Sequence, residues 1–123
     1  DATITMLTTV VEDFDDWRKN FYQWGRIMRE GEKIRAIVEF KDADGKIKEI
    51  KEVNPAIYAF DGKWLWENIE KVDNKNTQKE YLLTDLIKIA SEQGEIIHSI
   101  LIDPEEAMGI NSREELEIAE RLT

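Results

Sequence analysis

Val53-Asn54-Pro55-Ala56-Ile57-Tyr58-Ala59-Phe60 is an apolar, β-rich run that ends at the turn signal Asp61-Gly62. It carries one polar side chain near its start, Asn54. The run predicts a strand that is apolar on both faces, and such strands lie inside sheets covered by helices. That sets the fold class as α/β. Asn54 has two readings. Buried amides commonly pair with a neighbouring backbone group. An amide at a strand end can also point at the rim where α/β sheets bind ligands.

Working outward, residues 2–11 are rich in Thr, Ile and Val and predict a strand. It starts abruptly at Asp1, which suggests a chain cut from something longer. Residues 25–28 and 34–40 predict two strands joined by Arg29-Glu30-Gly31-Glu32, where Gly31 permits a tight turn. Asp42-Ala43-Asp44-Gly45 predicts another turn, and residues 47–51 lead into the central strand. Downstream, Asp61 is placed to cap a helix to about Val72 with Trp64, Leu65 and Ile69 on one face. A second helix is expected to end near Gln93, stopped by Gly94, with Leu83, Leu86, Ile87 and Ala90 inward. Its start is open between a Thr77/Glu80 capping box and a cap at Thr84. Residues 96–102 predict a strand containing His98, Pro104 breaks the chain, and Ser112 with Glu115 forms a capping box for a final helix. The expected architecture is a mixed sheet with a hairpin-rich first half and three main helices, in a single domain over residues 1–123.

Composition removes several function classes. Apolar residues make up 41% of the 123, enough for a core, and no run approaches the roughly 20 needed to span a membrane. There is no cysteine, so disulfides and thiolate metal sites are excluded, which fits a cytoplasmic protein. The net charge of −10 repels polyanions at long range and argues against general nucleic-acid binding. The single histidine, His98, offers little material for a triad or a multi-histidine metal site.

Residues 12–24 stand apart. Asp13, Asp15 and Asp16 precede Arg18 and Lys19, and Phe14, Trp17, Phe21 and Trp24 recur at steps of three, four and three. That predicts an amphipathic helix with an aromatic stripe. The stripe either packs on the protein's own core or forms an exposed patch for a protein partner.

Five islands occur in order: Trp24-Gly25-Arg26-Ile27; Val38 to Ala43 (VEFKDA); Glu52 to Phe60 (EVNPAIYAF); Glu80 to Asp85 (EYLLTD); and Gly109 to Leu116 (GINSREEL). Together they resemble the C-terminal half of a sugar-1-phosphate nucleotidylyltransferase domain, nearest in pattern to the N-acetylglucosamine-1-phosphate uridylyltransferases. The likeness leaves out residues 12–23. It implies a partial Rossmann-like mixed sheet of the nucleotide-diphospho-sugar transferase type, and a reaction that joins UTP and a sugar 1-phosphate using Mg²⁺. By resemblance, Gly25 matches a glycine whose backbone lies against the sugar. Glu39 matches a carboxylate that holds sugar hydroxyls, Asn54 an asparagine on the sugar, and Thr84 a threonine lining the pocket. Asn111 matches an asparagine that helps hold Mg²⁺. These residue types suit those tasks, since glycine permits close approach and carboxylates and amides read hydroxyls directionally. Mg²⁺ takes oxygen ligands.

The departures carry as much weight. The family's glycine-rich loop with its Arg and Lys, and its principal Mg²⁺ aspartate, have no counterpart here. Pro55-Ala56 stands where Thr-Gly is frequent, and Leu82 where a second tyrosine is frequent. The resemblance therefore implies the sugar side of a pocket without its nucleotide side, in a fragment expected to be inactive alone. Its expected partners are a UDP-sugar or sugar phosphate. The alternative is a non-catalytic binding scaffold, natural or engineered, that presents Phe14, Trp17, Phe21 and Trp24 to a protein partner or to a second copy.

Overall fold

Strand β1 (Ile4–Val10) is the centre of a six-stranded mixed sheet. The structure, a computed structural model, describes residues 2–123; Asp1, with the abrupt start noted above, lies outside them. On one flank β1 pairs antiparallel with β4 (Glu52–Val53) and β5 (Tyr58–Phe60). On the other it pairs parallel with β6 (Ile97–Leu101), from Ile4 opposite Ile97 to Thr8 opposite Leu101. β2 (Arg26–Glu30) joins β4 where Arg26 faces Val53, and β3 (Lys33–Val38) closes a hairpin on β2. Gly31 makes that turn in the left-handed region, at φ +62.

Alternation along β1 sends Ile4 and Met6 to one face. There they join Ile27, Ile34 and Ile37 beneath Leu86, Ile87 and Ala90 of helix α3, with Trp64 alongside. Each such side chain contributes about 1.5–3 kcal/mol of burial. Five helices surround the sheet: α1 (Gly45–Lys48), α2 (Gly62–Asn68), α3 (Asp85–Glu92), α4 (Pro104–Ala107) and α5 (Arg113–Leu122). Asp61 caps α2 by accepting from the Trp64 amide at 3.3 Å, and Ser112 caps α5 by accepting from the Glu115 amide at 3.1 Å. Gly94, at φ +77, ends α3. Among the described residues no helix is long and apolar enough to cross a membrane.

Several expectations are corrected. Residues 53–60 do not form one strand buried on both faces. Two residues of β1, Leu7 and Thr8, face four of the partner, Asn54 to Ile57. The excess leaves the ladder as a bulge, with Ala56 at φ +66 and Ile57 55% exposed. Pro55 removes one donor, which is why pairing breaks at this point. Residues 47–51 do not lead straight into a strand, because Asp44 accepts from the Ile47 amide and starts α1. Pro104 opens a helix rather than only breaking the chain, since its missing N–H is harmless at a first turn and Asp103 with Glu106 forms a capping box. Leu83 is exposed because α3 starts after it, and Ile69 lies in a 3₁₀ turn beyond α2.

The aromatic segment also differs. Residues Asp16–Phe21 form a 3₁₀ helix, not an α-helix. Asp13 holds the entry by accepting from the Asp15 amide at 2.9 Å and from Arg18 Nε at 2.8 Å. Phe21 is fully buried with Val11 and Val53, and Phe14, Trp17 and Trp24 pack half-buried around them. These rings meet edge to face, at 5.8 Å for Trp17 with Phe21 and 4.7 Å for Phe21 with Trp24. The segment thereby roofs the Val11–Val53 end of the sheet face opposite α3. It also encloses Arg26, which alternation sends to that face and which is fully buried. The guanidinium lies 4.7 Å from the Phe14 ring centroid and 5.5 Å from that of Tyr22. It donates to the carbonyls of Trp24 and Lys48.

A second ionic contact ties strands together across β1. Arg29 of β2 grips Glu52 of β4 through two bonds, at 2.7 and 2.9 Å, and donates to Ser99 Oγ of β6 at 2.9 Å. Burial pushes the Glu52 carboxyl up, but hydrogen bonds from Arg29 and Thr8 outweigh it and hold the group below its usual value. The folded carboxyl is thus the stronger acid. Its contribution is complete above the ordinary carboxylate range and is lost as pH falls through the folded pKa. Glu52→Gln is expected to cost about 1–2 kcal/mol at neutral pH and to flatten part of the loss of stability below about pH 5. Unchanged urea midpoints at both pH values would refute this. Ala56→Gly is expected to stabilise by about 0.5–1 kcal/mol, because it removes the left-handed penalty of a residue with a Cβ. A lower melting temperature for that variant would contradict the strained bulge.

Candidate functional site

The start of β2, the end of β3 and the end of β4 meet at one margin of the sheet, and the N-terminus of α3 reaches the same place. Gly25 precedes β2, and its carbonyl accepts from the Asn54 amide at 3.0 Å. This bond continues the β2–β4 pairing by one residue and fixes where β4 stops. A Cβ at position 25 would stand 3.0 Å from Ile37 Cγ2 and 3.6 Å from Glu39 Oε2. The first distance is tighter than ordinary contact, so a side chain there would push the Ile37 methyl by a few tenths of an ångström, and the second places the Glu39 carboxylate beside the Gly25 backbone.

Glu39 follows β3 and is half-buried. Its Oε1 accepts from the Thr84 hydroxyl at 3.1 Å. Thr84 is buried at the N-cap position of α3, yet its hydroxyl makes no capping bond and turns to Glu39 instead. The choice left open by sequence is settled in this way: α3 begins at Thr84, and its side chain serves the carboxylate.

Asn54 uses both ends of its amide. Oδ1 accepts from the Ala56 amide at 2.9 Å, and Nδ2 donates to the Tyr58 hydroxyl oxygen at 2.6 Å. The structural reading of Asn54 is therefore realised, since these bonds shape the bulge. One proton and one lone pair of the amide are not used by these bonds. Tyr58 is the member that sequence reading missed. Burial pushes its hydroxyl pKa up and the neighbouring Glu39 charge adds to this, while the bond from Asn54 opposes it. The phenol is thus a neutral donor at physiological pH. The available signal was a tyrosine in a buried run, whose hydroxyl needs a polar partner.

Gly25, Glu39, Asn54 and Thr84 are thus brought together, linked in a chain of contacts with Tyr58. The cluster offers a carboxylate, an amide and two hydroxyls, a set suited to polar hydroxyl-bearing ligands, while Gly25 beside them is buried.

Asn111 is not tied to this cluster by any contact among the described residues. It is exposed before α5, and its backbone amide donates to Glu115 Oε1 at 3.2 Å. Mg²⁺ requires near-octahedral oxygen ligation, usually with a carboxylate. Among the described residues no group of three or more acidic or histidine side chains is arranged to hold a metal ion. One amide oxygen does not make such a site, so the residues present do not fit Mg²⁺ by themselves. Of the aromatic candidates, Phe21 is wholly in the core, and Phe14, Trp17 and Trp24 keep only part of their surface exposed.

No family model matches the chain. Curated relatives do. The bifunctional protein GlmU of Clostridium botulinum (strain Eklund 17B / Type B) is 41% identical over 118 residues, which cover 96% of this chain and 24% of that protein. GlmU of Thermosipho africanus (strain TCF52B) is 46% identical over 121 residues, covering 98% of this chain and 24% of the relative. GlmU of Campylobacter jejuni (strain RM1221) is 42% identical over 97 residues, covering 79% and 23%. The chain spans about a quarter of the length of the curated relatives it matches. By these matches it belongs to the family of the bifunctional protein GlmU, as the counterpart of a segment of that length.

Proposed function

We propose that the chain forms the sugar-holding side of a UDP-N-acetylglucosamine pyrophosphorylase domain, the nucleotide side being supplied by sequence outside these 123 residues. In that reaction a phosphate oxygen of N-acetylglucosamine 1-phosphate attacks the α-phosphorus of UTP. The bond to pyrophosphate breaks as UDP-N-acetylglucosamine forms. The convergence of Gly25, Glu39, Asn54 and Thr84 at one sheet margin carries this reading.

Each residue acts by binding and orientation. The missing side chain of Gly25 leaves room for the Glu39 carboxylate beside the strand. The Glu39 carboxylate accepts from sugar hydroxyls, held in place by the Thr84 hydroxyl. Asn54 adds a directional amide, braced by Tyr58. Fixing the ring fixes where its phosphate oxygen points, and such positioning supplies a large share of the rate in transfers of this class. Stabilisation of the charge on the transferring phosphate falls to cationic and backbone groups that this chain does not contribute. On this reading the chain alone does not turn over.

The sheet supports the same division. Ile57, just before β5, Leu7 of β1 and Ile100 of β6 lie side by side on the face away from α3, and Ile57 and Ile100 are about half exposed. An apolar sheet face of this kind gains stability when another layer covers it, and the nucleotide-binding half of the domain is the proposed cover.

Titration with UDP-N-acetylglucosamine, followed by amide NMR, is expected to give saturable shifts at Gly25, Glu39, Asn54 and Thr84. Glu39→Gln, which keeps the shape and removes the charge, is expected to weaken binding about tenfold, equivalent to about 1.4 kcal/mol. A well-dispersed spectrum without shifts at these positions would sink the proposal. Separately, co-expression with the N-terminal half of a GlmU relative is expected to restore UDP-sugar synthesis that is absent from the chain alone. Turnover by the isolated chain would overturn the assignment of the catalytic groups to the other half.

A further inference from the structure

Away from the sugar-side cluster, three cations converge on a group of rings. Arg26 is fully buried, and its Nε has no hydrogen-bond partner. Its guanidinium faces Phe14, Tyr22 and Phe40, with Phe14 nearest at 4.7 Å. Lys48 Nζ lies 4.5 Å from the Phe40 centroid, and Lys51 Nζ lies 5.6 Å from that of Phe14. Among the described residues none of the three forms an ion pair with a carboxylate. That is unusual company in a chain with 27 acidic and 17 basic residues, where a cation has carboxylates in excess.

The rings replace part of the missing negative charge, since cations are drawn to aromatic faces. They do not neutralise it. Phe14, Tyr22, Lys48 and Lys51, with Gly45 and Glu49, line a surface cavity of about 530 Å³, within the range of small-molecule sites. Tyr22 leaves 40% of its surface exposed there. Two carboxylates stand near. Glu49 is part of the lining, and Asp13 feels Lys51 but is engaged by Arg18 at 2.7 Å. The balance at the cavity is positive, with the buried Arg26 charge behind the same two rings.

We propose that this cavity binds a small phosphorylated ligand, its flat apolar part against Phe14 and Tyr22 and its phosphate on Lys48 and Lys51. A phosphate is the matching anion because two flexible ammonium groups act as point charges that suit a tetrahedral dianion, whereas a lone carboxylate is better met by a planar guanidinium fork. Both rings of the floor come from the aromatic segment, and none of the lining residues belongs to the sugar-side cluster, so the two places are separate.

Phenyl phosphate, titrated into the full chain and followed by amide NMR, tests this. Saturable shifts centred on Phe14, Tyr22, Lys48 and Lys51 are expected. They should weaken as salt rises, because the phosphate contact is ionic and exposed. Lys48→Gln with Lys51→Gln is expected to weaken binding at least tenfold. Should that double variant lose its dispersed spectrum, Lys51→Gln alone, at an exposed position, is expected to weaken binding about threefold. Three results would each overturn the proposal: no saturable shifts at these residues, affinity unchanged by the substitutions, or inorganic phosphate binding as tightly as phenyl phosphate, which would leave the rings no part.

Discussion

Between Val53 and Ile57 the chain gives up its ladder with β1, and Asn54 holds it in that state. The backbone amide of Asn54 leaves β1 and bonds to Gly25, while its side chain braces Ala56 and Tyr58. The consequences spread in both directions. Pairing with Gly25 brings β2 up to β4 and sets Arg26 opposite Val53. The bulge then lets Tyr58 rejoin β1 opposite Met6, two residues out of the earlier register. Without the interruption a continuous strand would carry Asn54 past the margin where Glu39 and Thr84 meet. The site is thus made by the loss of backbone hydrogen bonds at one point and their replacement by side-chain bonds, a trade that buried backbone demands.

Alanine at position 56 keeps a left-handed backbone at a cost. Local strain beside a binding cluster persists only when the surroundings over-determine it. Here the surroundings are the Asn54 bonds and the Leu7 amide, which donates to the Ile57 carbonyl at 3.1 Å. The arrangement confines the bulge to one conformation.

On the other face, the aromatic segment and Arg26 form a second unit. A buried guanidinium is ordinarily met by a carboxylate. In this chain it is met by two backbone carbonyls and three rings. Phe14 among these rings also packs, with Trp17, Phe21 and Trp24, on Val11 and Val53. Residues 12–24 therefore roof a face of the sheet that would otherwise expose β-branched side chains and a charge. The solution leaves the charge only partly balanced, and the neighbouring lysines add to it.

The sequence by itself determined the class of fold, the hairpin at Gly31, the caps at Asp61 and Ser112, the stop at Gly94 and the family. These depend on short-range chemistry: hydropathy alternation, side-chain caps and glycine's backbone freedom. Ordered islands such as Trp24-Gly25-Arg26-Ile27 and Glu80 to Asp85 could be matched directly. Only the tertiary structure decided that residues 53–60 split in two, because the register against β1 depends on contacts far apart in the chain. It also decided that Thr84 serves Glu39 rather than its own helix, that Tyr58 joins the cluster and that Asn111 does not. The aromatic stripe shows the limit most clearly. Steps of three and four predict one face of a helix, but a 3₁₀ turn and a buried Arg26 determine which rings are core and which remain at the surface. Periodicity records which residues share a side, and packing against the rest of the sheet decides what that side meets.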